Sequence, residues 1–229
     1  MTLIRARWPL AAGLVAVATF AFAHGDVAPQ AVNTDTLPDV GEEWLTENPY
    51  RAMEPEVFEE AIRVGASGYN QNCARCHGLE VISGGLAPDL RFLEAEEYGD
   101  EWYAERFQHG MTQNGITKMP AFGEILGQKA AWAIRSYIET RPDDRQVAEA
   151  APKLTEMRDK LAALAEDPSG ADVEAVKAEL MELNAGFETL SGAPVADSAA
   201  AHAARVIDGS PEKFHEAAEL ISVSLSAAQ

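Results

Sequence analysis

Cys73-Ala74-Arg75-Cys76-His77 is the stretch on which the fold turns. Two thiols three residues apart, followed directly by an imidazole, have the spacing of a covalent haem c attachment site. Both thiols can add to the haem vinyl groups, and the histidine can ligate iron from one face. The chain has 229 residues and 2 cysteines. Both cysteines lie in this motif, so no thiol is left for a disulfide, a zinc site or a second attached haem. One covalent haem c is expected. A bare Cys-x-x-Cys would also suit a redox dithiol or half of a zinc site. Zinc needs more thiolate or imidazole ligands at short spacing, and His24 and His109 do not supply it. A redox dithiol wants a βαβ setting, whereas the flanks here read as helical.

Haem c is attached outside the bacterial cytoplasm, and the N-terminus carries a matching export signal. Arg5 and Arg7 precede an almost wholly apolar run over residues 10–22, and Ala21-Phe22-Ala23 fits a small-x-small cleavage site. Cleavage after Ala23 is expected, giving a signal peptide at 1–23 and His24 as the new terminus. The run is short for a membrane span, and a periplasmic protein is expected. The formal net charge is −19. Loss of two arginines with the leader takes the chain from −19 to −21. Nucleic acid and anionic membrane surfaces are therefore poor partners, while a basic patch on another protein is a good one, because complementary charge speeds encounter.

Residues 24–50 read as an extended arm punctuated by Pro29, Pro38 and Pro49, with Trp44 packing back on a core. Residues 54–72 read as a helix whose face is Val57, Phe58, Ala61, Ile62, Gly65 and Tyr69. Glu56, Glu59 and Glu60 favour its positive N-terminal end. Residues 78–99 read as loop, with turn chemistry at Ser83-Gly84-Gly85 and Ala87-Pro88-Asp89-Leu90. A middle helix is predicted over 101–109, with Trp102, Ala104 and Phe107 facing inward. Gly110, Asn114 and Gly115 mark a second loop. An amphipathic helix follows over 128–140, carrying Ala131, Trp132, Ile134, Arg135, Tyr137 and Ile138, and ends at Arg141-Pro142.

Three helices around Cys-x-x-Cys-His, a Met-Pro loop and a final aromatic helix resemble a class I cytochrome c over residues 51–141. The resemblance implies an all-α fold and an electron carrier rather than an enzyme. It implies His77 as proximal iron ligand and Met119, in Lys118-Met119-Pro120-Ala121-Phe122, as distal ligand, with Met111 as fallback. Pro88 matches the proline whose carbonyl orients the ligand histidine. Gly65 and Tyr69 match first-helix positions that cross the last helix near Trp132 and Tyr137. Trp102, Phe122 and Trp132 are candidate pocket residues, although ordinary core packing suits each as well. Asn48-Pro49-Tyr50-Arg51, Tyr69-Asn70-Gln71-Asn72, His77-Gly78-Leu79-Glu80, the run Ser83 to Arg91 and Gly99-Asp100-Glu101-Trp102 narrow the likeness. Together they resemble the periplasmic cytochromes c that serve quinoprotein (PQQ-dependent) alcohol dehydrogenases. That implies electrons arriving from such a dehydrogenase and leaving towards a terminal oxidase or another cytochrome, in the service of alcohol oxidation.

Neutral imidazole and thioether suit iron in both oxidation states, and thioether sulfur favours the ferrous form. With six positions filled, outer-sphere electron transfer is the expected chemistry. A haem with an open sixth position, acting as a peroxidase or small-ligand enzyme, is the competing reading. Arg75 is expected to be exposed. Arg91 suits a haem propionate or a solvated position. Glu94, Glu96, Glu97, Asp100, Glu101 and Glu105 read as a solvated acidic face or a docking patch.

Residues 142–229 lie outside the resemblance. They hold seven Lys or Arg against seventeen Asp or Glu. Leu154, Met157, Leu161 and Leu164 form one helical stripe; Val173, Val176, Leu180, Leu183 and Phe187 a second; Phe214, Ala217, Leu220 and Ile221 a third. A helical hairpin or small bundle is predicted. It either folds onto the cytochrome part, docks a partner or tethers the haem subunit to a larger complex. His202 and His215 lie in it as candidate ligands of a second, non-covalent haem.

Overall fold

A computed structural model describes residues 29–228. The leader assigned to 1–23, its cleavage site and His24 lie outside the described residues. The all-α expectation holds, with one small hairpin added. In chain order the helices are α1 (Pro55–Asn72), the single turn α2 (Ala74–His77), α3 (Glu97–His109), α4 (Gly123–Glu139), α5 (Asp144–Glu149), α6 (Ala151–Glu166), α7 (Val173–Asn184), α8 (Ala199–Val206) and α9 (Pro211–Ala227). Strands β1 (Met111–Gln113) and β2 (Ile116–Met119) pair antiparallel between α3 and α4.

Local chemistry explains the helix starts. Pro55 and Pro211 occupy first-turn positions, where a missing N–H costs nothing. The side chains of Asp143, Asp172, Ser198 and Ser210 accept from backbone N–H groups of the first turns of α5, α7, α8 and α9.

Two apolar clusters organise the molecule. The first gathers Leu37, Tyr50, Ile62, Tyr69, Phe107, Trp132, Ile134 and Ile138 around α1, α3 and α4. The second gathers Leu154, Leu161, Leu180, Ile207, Phe214 and Ile221 among α6 to α9. Each fully buried Leu, Ile or Phe contributes about 1.5–3 kcal/mol. In the second cluster α6 lies along α9, and α8 contacts both α7 and α9. The three apolar stripes face this core except at Leu220, which is half-exposed and outside it; α7 ends at Asn184, and Phe187 is buried from the following turn. Helix α8 carried no stripe of large residues; Ala199, Ala200, Ala203 and Ala204 bury their small side chains instead.

The closest approach in the first cluster is between α1 and α4. A Cβ on Gly65 would lie 1.9 Å from the Ala133 carbonyl oxygen, so only glycine fits there. One turn on, the rings of Tyr69 and Tyr137 meet at 5.4 Å between centroids.

Several expectations are corrected. Helix α3 begins at Glu97 rather than 101, and Tyr103 is buried beside Ala104 and Phe107. The second loop contains the hairpin. Asn114 (φ 53°) and Gly115 (φ 76°) form its turn, the pairing of left-handed residues that such turns require. Helix α4 starts at Gly123, breaks at Gly127 (φ 72°) and is not amphipathic in place. Every residue from Ala130 to Asp143 is buried. The arm packs on α4 instead of trailing: Gln128 Nε2 donates to the carbonyls of Gly41 and Glu43. Asn72 pairs with the backbone of Gln30 in both directions.

The acidic run is not wholly solvated either. Asp100 and Glu139 are fully buried and share Arg51 and Arg135. The Asn48 backbone N–H donates to Asp100, and its amide donates to Ser136 and Glu139. Two guanidinium groups thus meet two carboxylates with no net charge, the condition for tolerating ions away from water.

Replacing Gly65 by Ala is expected to cost about 1–3 kcal/mol or more by overpacking the α1–α4 crossing. Urea unfolding followed by circular dichroism measures it; an unchanged midpoint contradicts the backbone contact.

Candidate haem-attachment site

Helix α1 delivers the chain to Cys73, which caps it, and the α2 turn follows at once. The backbone N–H groups of Cys76 and His77 both donate to the Cys73 carbonyl, at 3.0 and 2.9 Å. Spacings of three and four residues put the two sulfurs and the imidazole on one side of that turn. Cys76 is exposed and Cys73 half-buried. Burial, with a smaller contribution from Cys76, pushes the Cys73 thiol up to about 12. Among the described residues no group of three or more His, Cys, Asp or Glu could hold a metal ion, so the further ligands that zinc needs are not gathered here.

The His77 Nδ1 lies 2.8 Å from the Pro88 carbonyl oxygen. A carbonyl only accepts, so Nδ1 carries the proton and the lone pair resides on Nε2. Burial lowers the histidine's pKa, opposed by the Pro88 bond and by Asp89. A neutral imidazole with Nε2 available and its other nitrogen anchored to a carbonyl is what an iron ligand requires. The anchor is built locally. Ser83 Oγ donates to the Ala87 carbonyl at 2.5 Å and accepts from the Gly85 N–H at 3.1 Å, closing the loop before Pro88. Gly78 (φ 87°) is forced, because a Cβ there would sit 1.8 Å from the Ile82 carbonyl oxygen. The Tyr69 hydroxyl donates to the Gly78 carbonyl at 2.8 Å.

Met119 ends β2 and pairs directly across the ladder with Met111. The hairpin therefore sets the two candidate methionines side by side. Met119 is half-buried against the first core, whereas Met111 is 40% exposed. Gly110 (φ 66°) allows the return, since a Cβ would lie 2.4 Å from the Met119 carbonyl oxygen.

Phe122 and Trp132 are buried in an aromatic group with Tyr103 and Phe107. Phe107 lies 5.6 Å from Phe122, and Tyr103 lies 6.2 Å from Trp132, between ring centroids. Trp102 stands apart, half-exposed, with the Arg106 guanidinium 5.4 Å from its ring centroid. Tyr103 was missed although the predicted helix spans it, because Trp102 was placed on the inward face, whereas Tyr103 has the four-residue spacing with Phe107. The indole Nε1 of Trp132 is buried without a protein partner among the described residues. It is a donor left for an acceptor that the polypeptide does not provide. Arg75 is exposed and so is His109, at the end of α3. Arg91 is neither solvated nor free for a propionate: it is 3% exposed and paired with Asp89 and Asp144. His202 is half-buried and His215 exposed.

The family model of cytochrome c oxidase, cbb3-type, subunit III matches residues 60–138. The chain is 51% identical to cytochrome c550 of Pseudomonas aeruginosa over 129 residues, 56% of this chain and 88% of that protein. It is 33% identical over 84 residues to quinohemoprotein alcohol dehydrogenase ADH IIB of Pseudomonas putida, and 31% identical over 84 residues to ADH-IIG of the same organism. Those matches cover 36% and 37% of this chain but 11% of each dehydrogenase. No solved structure gives a significant match.

The fold and the anchored histidine beside two cysteines define a c-type cytochrome, and the chain belongs to the cytochrome c family. It is an electron carrier homologous to cytochrome c550, and its family implies covalent haem c.

Replacing Met119 by Ala is expected to abolish the sulfur-to-iron charge-transfer band of the ferric protein and to lower the midpoint potential. Optical titration reads both; an unchanged spectrum removes Met119 from the ligand set.

Proposed function

We propose that this protein is a periplasmic monohaem carrier that takes single electrons from a quinoprotein alcohol dehydrogenase and passes them towards a terminal oxidase. The observation that carries the site assignment is the bond between His77 Nδ1 and the Pro88 carbonyl, which leaves Nε2 for iron. Cys73 and Cys76 hold the haem covalently, and there is no third cysteine for another. Met119 is the distal ligand, favoured over Met111 by its burial and its place just before α4. The buried Trp132 Nε1 suits a haem carboxylate.

When bound, the haem supplies one-electron iron chemistry. The protein's part is to orient and enclose it. Pro88 fixes the His77 ring, while Phe107, Phe122 and Trp132 provide an apolar surround that disfavours the extra charge of the ferric state. Exposed Cys76 marks the edge where the site meets solvent.

The dehydrogenase as donor is supported by the motif likeness and by the similarity to two quinohemoprotein alcohol dehydrogenases. The periplasmic location is supported by the leader-like segment at 1–23, and among the described residues no helix is long and apolar enough to cross a membrane. We divide the chain into a leader at 1–23, an arm at 24–50, a cytochrome part at 51–141 and a helical extension at 142–229. The two separate apolar clusters support the last boundary.

Stopped-flow mixing with a reduced quinoprotein alcohol dehydrogenase tests the donor. Saturable single-electron reduction that slows as salt rises is expected, because surface charge is screened. Reduction no faster than that of an unrelated acidic cytochrome counts against that donor.

A further inference from the structure

Residues 78–91, which connect His77 to its Pro88 anchor and beyond, are tied to the C-terminal unit at two points, each centred on a buried arginine. At the first, Arg141 donates to the Glu80 carboxylate and to the backbone carbonyl of Asp197. It also reaches the Asp197 carboxylate at 3.2 Å, and that carboxylate is held by Arg205 of α8. Arg141 and Asp197 are almost completely buried, and the guanidinium lies 5.2 Å from the Tyr137 ring centroid. At the second, Arg91 grips Asp89 through two nitrogens, at 3.0 and 2.5 Å. It also reaches Asp144 at 2.9 Å and the Pro142 carbonyl at 3.4 Å. Asp89 directly follows Pro88, whose carbonyl holds His77.

Backbone geometry shows why this loop needs outside support. Glu80 (φ 57°) and Val81 (φ 64°) are consecutive non-glycine residues in the left-handed region. That region is costly for any side chain and most of all for a β-branched one. Such a conformation persists only where its surroundings over-determine it. Here the restraint on Glu80 comes from Arg141, itself locked by Asp197, whose carboxylate Arg205 also holds. The last turns of α9 also lie across the loop: Leu79 and Ile82 face Ser222, Val223, Ser226 and Ala227 over a shallow groove.

We propose that the C-terminal helical unit, through Asp197 and Asp144, acts with Arg141 and Arg91 of the cytochrome part as a proximal clamp on the haem ligand, the two arginines being positioning residues. They act through Glu80 and Asp89 on the loop that fixes the His77 ring. The unit thus helps to set the redox centre and is not merely a tether. The inference rests on the assignment of His77 as iron ligand, but its test does not depend on which residue fills the sixth position.

Hydrogen exchange and potentiometry on the full-length haem-loaded protein separate the outcomes. Glu80→Ala is expected to speed exchange of the amides at 78–82 about tenfold, a factor equivalent to 1.4 kcal/mol. Asp144→Ala is expected to do the same at 89–93. Both lower the midpoint potential, because a looser loop admits water that favours the ferric form. Glu80→Gln, which keeps an acceptor for Arg141, recovers most of the protection and still reports on the clamp if Glu80→Ala does not fold. Leu161→Ala, which opens the second core away from both contacts, lowers the unfolding midpoint while leaving the exchange at 78–82 and the potential as in the wild type. Unchanged exchange and potential in Glu80→Ala and Asp144→Ala overturn the proposal, as does an equal shift in Leu161→Ala. The wild-type absorption spectrum checks the iron ligation separately.

Discussion

The backbone contact of α1 with α4 at Gly65 and Ala133 governs the rest of the molecule. Helices that approach so closely have little freedom to slide or rotate. The far end of α1 is therefore fixed, and with it Cys73 and the α2 turn. The same crossing sets Tyr69 beside Tyr137 with their rings tilted, and Tyr69 uses its hydroxyl to hold the Gly78 carbonyl just beyond the motif. In the other direction α4 carries Arg135 and Glu139, and the residues just after it carry Arg141, into positions where each finds an opposite charge. One missing side chain thus positions both the attachment motif and the ionic groups around it.

Charge is divided sharply between interior and exterior. The chain bears a formal net charge of −19, yet the buried group of Arg51, Arg135, Asp100 and Glu139 is neutral. Burying one more carboxylate there would leave an uncompensated ion, at a cost of several kcal/mol. The excess acidity is therefore carried by the surface, where it can attract a basic partner at little expense to folding. On α3 the two roles alternate: Asp100 turns inward, while Glu101 and Glu105 remain exposed.

Between the two apolar cores the seam is largely polar and specific. Ser191 donates to the Glu139 carbonyl, its own carbonyl accepts from Ala95, and Arg91 and Arg141 bridge the two parts. Apolar contact alone tolerates sliding, whereas directional bonds to buried groups set one register. The match to cytochrome c550 covers 56% of this chain, so 44% of it lies outside that match.

The motif, α1 and the apolar stripes of α6, α7 and α9 were legible in the sequence, because each depends on spacing within a few turns of one helix. So was the pairing of His77 with Pro88, through likeness of the loop. The Asn114-Gly115 turn was legible as a break, but the hairpin around it needed strands too short to show alternation. Helix α8 stayed hidden because alanines make no stripe. The burial of Asp100, Arg91 and every face of α4 from Ala130 onward could not be read at all. A charged residue is buried only when its partner arrives from elsewhere, and here the partners lie 35 to 53 positions away in Arg135 and Asp144. The amino-acid order by itself determined where the Cys-x-x-Cys-His motif lies and where most helices run, since both follow from local spacing. Only the tertiary structure decided which charges leave water and that the C-terminal part meets the loop at 78–91, because those depend on groups brought together across the chain.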